Sequence, residues 1–426
     1  MGLREPPCRR GAYGGRRSVS RRAGFAAYLV VTAAYWAFML TDGALRMLVL
    51  LHFHTLGFSP VQLAYLFVLY EIAGVVTNLC AGWLAARFGL TRTLYAGLEL
   101  QIIALLALAQ LDPSWSVAGS VIFVMCVQGL SGVAKDLAKM SSKSAVKLLA
   151  PSKDGALFKW VAVLTGSKNA VKGLGFLLGA ALLAVLGFKG AVFVMASVLT
   201  VILALVMLRM PDGLPKGMKG VKFSAVFSKN VDVNWLSLAR VFLFAARDVW
   251  FVVGIPIYFY SVWSDGTEAG NKAAFFMIGS FMALWVISYG VVQGFAPKLL
   301  SKLPVQSASG LAASLAILPL ALALLVWFEA SGLTLLVVLG LFLFGALFAL
   351  NSALHSYLIL RFTTAERVTL DVGFYYMANA AGRLIGTVLS GVSYQLGGLT
   401  LCLFVAGFML AISALVARRL PVVDLS

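Results

Sequence analysis

The chain is poor in the residues that soluble enzymes use for chemistry. Of its 426 residues 12% are charged, three are histidine and four are cysteine. Cys8, Cys80, Cys126 and Cys402 stand far apart in sequence, so zinc ligation, thiol redox chemistry and disulfide bonding have no support. There is no Walker loop, no H-E-x-x-H array and no Ser-His-Asp arrangement, so ATP-driven and hydrolytic mechanisms lack their parts. No cofactor, no metal and no enzymatic activity are expected. Acids are also scarce, 16 against 34 basic residues, for a net charge of +18. In a soluble protein that excess would point to nucleic acid. Here most of the lysine and arginine sits in short segments between apolar runs, and no nucleic-acid partner is expected.

What abounds is hydrophobic sequence, 61% of the chain, with a mean hydropathy of +0.95. That composition excludes a soluble domain and predicts an all-α, polytopic membrane protein whose first partner is the lipid bilayer. Twelve apolar runs reach the length a membrane helix needs: 25–53, 61–86, 93–111, 116–137, 157–186, 190–209, 235–262, 273–296, 306–328, 333–358, 370–396 and 399–417. Basic residues cluster in every second connection, from Arg87 and Arg92 through Lys139, Lys143 and Lys147 to Arg418 and Arg419. The other connections hold only Lys189 and Lys272. By the positive-inside pattern both termini are cytoplasmic. Residues 1–22, rich in Arg and Gly and followed by no short cleavable apolar stretch, read as a disordered basic cytoplasmic tail. Pro211–Asn234, rich in Pro, Gly and Lys, divides six runs from six, which predicts six-helix bundles over 23–210 and 235–418, a linker over 211–234 and a short tail over 419–426. Weak internal similarity supports two pseudo-symmetric halves: SKNAVKGLGFLLG laid on ANAAGRLIGTVLSG sets Lys172 on Arg383 and Gly175 on Gly386.

Charges inside the apolar runs are the candidates for function. Asp42 and Arg46 lie four residues apart near the middle of the first run, on one helix face. Lys168 and Lys172 share a face of the fifth, with Asn169 beside them, and Arg247 adjoins Asp248 in the seventh. Asn379 and Arg383 share a face of the eleventh, with Tyr375 and Tyr376 one to two turns earlier. Five deep cations turned to lipid would cost roughly 12–18 kcal/mol on insertion scales. That rivals the whole stability of a domain, about 5–15 kcal/mol. They must therefore face an interior, offset by acids or by a ligand. Asp42, Glu71, Glu99, Asp136 and Asp248 are the acids at hand, with Glu71, if unpaired, the candidate proton carrier. Lys135 and Arg240 lie nearer run ends, where snorkelling is open to them. Cations in excess of acids fit an anionic small molecule, Arg gripping oxyanions through its fork and Lys adding point charge. The competing reading is ion pairs that merely lock helices together. Asn351 and His355, i,i+4 in the tenth run, fit either a substrate or proton contact or a plain interhelical bond.

The connection GWLAARFGLTR resembles the loop signature of the major facilitator superfamily at Gly82, Arg87, Gly89 and Arg92, with Ala86 where an acid is usual. The resemblance implies that these four act in a conformational loop. More specific are TDGALRMLVLLHFHTLGFSP, YEIAGVVTNL, GVAKDLAKMSSKSAVKLLAP, FKWVAVLTGSKNAVKGLGF and LARVFLFAARDVWFVVGIPIY, which resemble the ArsJ family of organoarsenical-efflux permeases from about Tyr28 onward. That resemblance implies export of 1-arseno-3-phosphoglycerate, arsenate resistance, and functional coupling to glyceraldehyde-3-phosphate dehydrogenase, which makes the ester. An organophosphate:phosphate antiporter of the same superfamily is the alternative. The expected site comprises Arg46, Lys168, Lys172, Arg247, Arg383, Asn169, Asn379 and Tyr376 on the substrate, with Asp42, Glu71, Asp136, Asp248 and His355 pairing or coupling charge. The expected setting is the bacterial inner membrane, as a monomer.

Overall fold

The computed structural model describes residues 21–149, 156–210, 227–300, 307–363 and 368–421. The expected N-terminal tail through residue 20, the linker through residue 226, and the basic residues Lys153, Lys216, Lys219, Lys222, Lys302 and Arg367 lie outside them. The first half holds α1 (Arg21–Thr55), α2 (Pro60–Tyr65), α3 (Val68–Phe88), α4 (Leu90–Leu108), α5 (Val117–Leu149) and α6 (Ala156–Arg209). The second holds α7 (Val231–Phe251), α8 (Gly254–Trp263), α9 (Glu268–Leu300), α10 (Ser307–Trp327), α11 (Leu333–Phe362) and α12 (Val368–Ala417). Helix is what such a sequence must form in hydrocarbon, because it satisfies every backbone polar group within one segment.

Ten stretches among the described residues are long and apolar enough to cross a membrane. Two of them, within α6 and α12, run 43 and 48 residues. At 1.5 Å per residue each is about twice the length that a hydrocarbon core of roughly 30 Å requires. Each is also broken, α6 at Gly187 with φ +68° and α12 at Gly397 and Gly398. Counting these two as hairpins gives twelve crossings in two six-helix halves, and the breaks fall where the apolar runs part in the sequence. The connections gather at two ends. One end carries exposed Arg87, Arg92, Arg209, Lys298, Arg361, Arg418 and Arg419; the far end carries Lys189 and Lys272 with Asp112, Asp265 and Glu329.

Several expected boundaries are corrected. The run 61–86 is two helices parted at Leu66–Phe67, and 235–262 is two parted at Val252–Val253. The second break follows from Pro256, which lacks the N–H that would bond to the Val252 carbonyl. Freed backbone N–H groups of Val253 and Gly254 donate instead to Ser390 Oγ on α12, at 3.1 and 3.3 Å. α2, ahead of the first break, starts at a capping box of Ser59 and Gln62 with Pro60 in its first turn. α5 runs to Leu149, well past its apolar run. The signature connection is a single residue, Gly89, at φ +75° between α3 and α4, where only glycine sits without strain. Gly82 falls within α3, and Arg87 and Arg92 are exposed on either side of the turn.

α1 and the pair α7–α8 are the inner helices: 78% of each one's most apolar window is buried, against 33–50% elsewhere. Each is backed by the first limb of a hairpin helix at glycine. A Cβ on Gly43 of α1 would meet the Lys172 carbonyl of α6 at 2.6 Å. One on Gly386 of α12 would meet the Ala245 carbonyl of α7 at 2.6 Å. These backbone contacts set Lys172 beside α1 and Arg383 beside α7.

A charged cluster between the two halves

The inner helices bring the buried charges to one place. Lys172 Nζ lies 2.9 Å from Asp42 Oδ2, and the Tyr70 hydroxyl donates to Asp42 Oδ1 at 2.6 Å. Arg46, one turn along α1 from Asp42, does not pair with it; its Nη1 lies 3.2 Å from Glu71 Oε1 of α3. The same Glu71 oxygen receives Arg383 Nη2 of α12 at 2.5 Å. Arg383 Nε lies 3.6 Å from Asp248 Oδ2, and Asp248 also holds Arg247, with Arg247 Nε donating at 2.6 Å. One carboxylate of the first half thus bridges an arginine from each half. Glu71 is therefore not the lone acid that a proton carrier would require.

α5 enlarges the cluster beyond what the apolar runs indicate. Lys135 is buried, its ammonium 3.9 Å from the centre of the Tyr70 ring and within electrostatic reach of Asp136, Glu71, Asp42 and Arg383. It does not snorkel: its side chain stays buried against Tyr70 in the middle of α5, which continues for about four turns beyond it. Asp136 accepts from Thr77 Oγ1 at 2.5 Å, and Lys139 donates to Asn78 Oδ1 at 2.6 Å while lying 3.5 Å from Asp136. Lys139, grouped with the connection residues by its sequence position, sits over the Tyr376 ring of the other half at 5.2 Å.

Arg46, Lys135, Lys139, Lys172, Arg247 and Arg383 thus share Asp42, Glu71, Asp136 and Asp248, six cations on four acids. With all ionised, two positive charges are left over. Exposure divides the two sets. The acid side chains keep 1–2% of their surface open, whereas those of Arg46, Lys172, Arg247, Arg383 and Lys139 keep 13–22%. The carboxylates are sealed, Lys135 is buried with them, and the other five cations keep part of their surface open. Hydrogen-bonding capacity is left inside the cluster too, since the buried Arg46 Nη2 and Glu71 Oε2 have no partner among the described residues. Aromatic faces complete the cationic walls: Phe67 lies 5.0 Å from the Arg46 guanidinium, and Phe244 lies 5.0 Å from that of Arg247. Such an arrangement can hold an oxyanion by charge-assisted hydrogen bonds without removing the acids that keep the empty state neutral enough to fold.

The remaining expected site residues divide. Tyr376 faces the cluster through Lys139. Lys168 is half-buried one turn from Lys172, and Asn169 bonds Gln293 of α9 at 3.2 Å, joining the halves. Asn379 turns to Arg240 at 3.0 Å, and His355 is fully buried beside Arg240 on α11, apart from the central acids. Arg240 itself is 4% exposed and does not snorkel. Glu99 is exposed on α4 and takes no part. His52 stacks on Phe188 at 4.1 Å, and no metal-binding group of side chains exists among the described residues. Lys135, Lys139 and Tyr70 also belong to the cluster, and the GVAKDLAK string, with its acid framed by lysines, marks two of them in sequence.

No curated protein matches the chain. Solved structures match it throughout at low identity. A D-xylose-proton symporter is 15% identical with a TM-score of 0.71, covering 94% of this chain and 98% of its own. The nucleoside transporter NupG is 16% identical with a TM-score of 0.66, covering 93% and 98%. A POT family transporter, solved with a thioalcohol-conjugated peptide, is 14% identical with a TM-score of 0.68, covering 92% and 95%. Likeness at that level carries the fold alone. The family model described as Major Facilitator Superfamily matches residues 24–356, so the twelve-crossing chain with its charged seam belongs to that superfamily of membrane transporters.

Proposed function

We propose that this transporter exports an organoarsenical oxyanion, 1-arseno-3-phosphoglycerate, by alternating access of its two halves, and so confers arsenate resistance. The observation that carries the anionic cargo is the division of the seam: sealed acids behind, partly open cations in front, with Arg46 and Arg383 drawn from opposite halves to one carboxylate. A cargo with a phosphate at one end and an arsenate ester at the other matches cations contributed by both halves. The strings that resemble the ArsJ family supply its identity. The cargo's partner reaction is that of glyceraldehyde-3-phosphate dehydrogenase, and the setting is the bacterial inner membrane with both termini in the cytoplasm.

The mechanism follows from competition. Arg383 and Arg46 present guanidinium forks, and Lys172, Arg247, Lys135 and Lys139 add point charge and donors. In the empty carrier Glu71 holds both arginines and thereby holds the halves together. An entering oxyanion offers the same arginines better-placed oxygens, and Glu71 releases Arg383. The bridge across the halves is then the cargo itself, and the halves rock about it until it leaves on the other side. Glu71 recovers Arg383 and resets the carrier.

Everted membrane vesicles, supplied with dehydrogenase, NAD+ as hydride acceptor, arsenate and labelled glyceraldehyde 3-phosphate, test the proposal. Label accumulates in vesicles bearing the transporter and is lost with Arg46→Ala, Lys172→Ala or Arg383→Ala. Accumulation that needs no arsenate, driven instead by trapped phosphate, would replace this cargo with a plain organophosphate. Accumulation that all three variants leave intact would remove the site.

A further inference from the structure

The second half contains another buried cation, unlike those of the seam. Arg240 on α7 is 4% exposed, and no carboxylate lies within 4 Å of it among the described residues. Its Nε donates to Asn379 Oδ1 and its Nη1 to the Ser352 carbonyl, both at 3.0 Å. Phe244 and Tyr375 cover its faces at 4.1 and 5.0 Å. A guanidinium held only by neutral groups inside a bundle is costly unless an anion joins it.

The neighbouring side chains have the capacity to hold one. Asn351 and His355, one turn apart on α11, are fully buried, and neither the amide atoms nor the two ring nitrogens have a hydrogen-bond partner. The hydroxyls of Ser237 and Ser352 are likewise buried without partners among the described residues, and the Tyr375 hydroxyl meets only Ser356. Buried polar groups are ordinarily satisfied, and here four side chains of α7 and α11, at or within a turn of the groups that meet Arg240, are unsatisfied together. Asn351 offers an N–H₂, neutral His355 one N–H, and the Ser237 and Ser352 hydroxyls two more donors. The nearest acid along α12, Asp371, is one turn from Tyr375 and is engaged by the Thr363 hydroxyl.

We propose that this cluster is a second anion site, which binds one free tetrahedral oxyanion such as inorganic phosphate, separate from the seam. Arg240 and Arg247 are seven residues apart on one face of α7, about 10 Å along the helix at 1.5 Å per residue. The Phe244 ring lies between them, 4.1 Å from one guanidinium and 5.0 Å from the other, and packs edge-on to Phe348 at 5.1 Å. That aromatic layer divides the two sites, so a small cargo gripped at Arg247 does not also reach Arg240. The site requires nothing of the cargo's identity.

Equilibrium binding of radiolabelled inorganic phosphate to the purified full chain in nanodiscs tests it. One phosphate per chain binds with an affinity that falls at least tenfold in Arg240→Gln and in Asn351→Leu, yet survives in Arg383→Gln. Asn351→Leu guards against misfolding of the arginine variant, since an apolar residue of similar size in place of an unpartnered amide does not weaken the fold. Phosphate binding that is absent, that Arg240→Gln and Asn351→Leu leave unchanged, or that disappears only with Arg383→Gln would overturn the proposal. The last result would assign all of it to the seam.

Discussion

Replacing Glu71 by glutamine is the most informative single change, because stability and ligand binding should move in opposite directions. The substitution keeps the shape and removes the charge that Arg46 meets at 3.2 Å and Arg383 at 2.5 Å, on a side chain 1% exposed. Breaking a buried pair by removing one partner costs about 3–5 kcal/mol. Arg383 keeps Asp248 at 3.6 Å, which brings the expected cost toward about 3 kcal/mol, the lower end of that range. A second change, Arg383→Gln, removes the stranded cation and should recover about 1–3 kcal/mol of that loss in a double-mutant cycle. Anion binding should improve instead, because the carboxylate no longer competes for the two forks. A tenfold gain in affinity for an oxyanion corresponds to about 1.4 kcal/mol. Thermal unfolding of purified protein with and without glycerol 3-phosphate reads both quantities. Transport by the same variant should fall, since nothing recovers Arg383 after release. If Glu71→Gln binds the anion more weakly than the parent, the carboxylate does not compete with cargo and the exchange mechanism is wrong.

Three further outcomes are expected. Cysteines at positions 74 and 380 would place their Cβ atoms about 3.7 Å apart across the halves, close to ordinary disulfide spacing. In a chain whose four native cysteines are serine, oxidation of Gly74→Cys/Ala380→Cys should stop transport and reductant should restore it; full transport by the cross-linked protein would mean that the halves do not part there. Gly386→Val, whose Cβ would meet the Ala245 carbonyl at 2.6 Å and Asp248 Cβ at 2.7 Å, should cost about 1–3 kcal/mol or more and lower the yield of folded protein. Gly294→Ala, with nothing within 4 Å, should be neutral in the same fluorescence-detected gel filtration. Arg383→Lys keeps the charge but not the fork, so oxyanion affinity should drop by tenfold to a hundredfold, the worth of one charge-assisted hydrogen bond at about 1.5–3 kcal/mol; an unchanged affinity would mean that charge alone binds the cargo.

How far the chain could be read without its fold depends on what a membrane makes expensive. Asp42, Arg46, Lys172, Arg247, Asp248 and Arg383 stand out in sequence because hydrocarbon penalises each, and all six meet in the seam. The same rule passes over Lys139, because hydropathy fades near residue 137 while the helix runs on to Leu149. The partners of Lys139 on other helices are Asn78 of α3 and the Tyr376 ring of α12, which apolarity along one segment does not record. Pairing was less legible still. Arg46 lies one turn from Asp42 and local spacing joins them, yet it pairs with Glu71 on another helix, and Glu71 in turn takes Arg383 from 312 positions along the chain. Lys172 rather than Arg46 claims Asp42, since the glycine contact between α1 and α6 brings the two backbones together at that level. Breaks in the helices were visible only where they have a covalent cause. Pro256 announces the one at Val252–Val253, whereas nothing in Leu66 or Phe67 announces the other. What distinguishes a binding seam from a set of locking ion pairs is thus not which residues are charged but which side of each pair is left open. That follows only from the packing, where Glu71 and Asp42 are sealed behind the cations they serve.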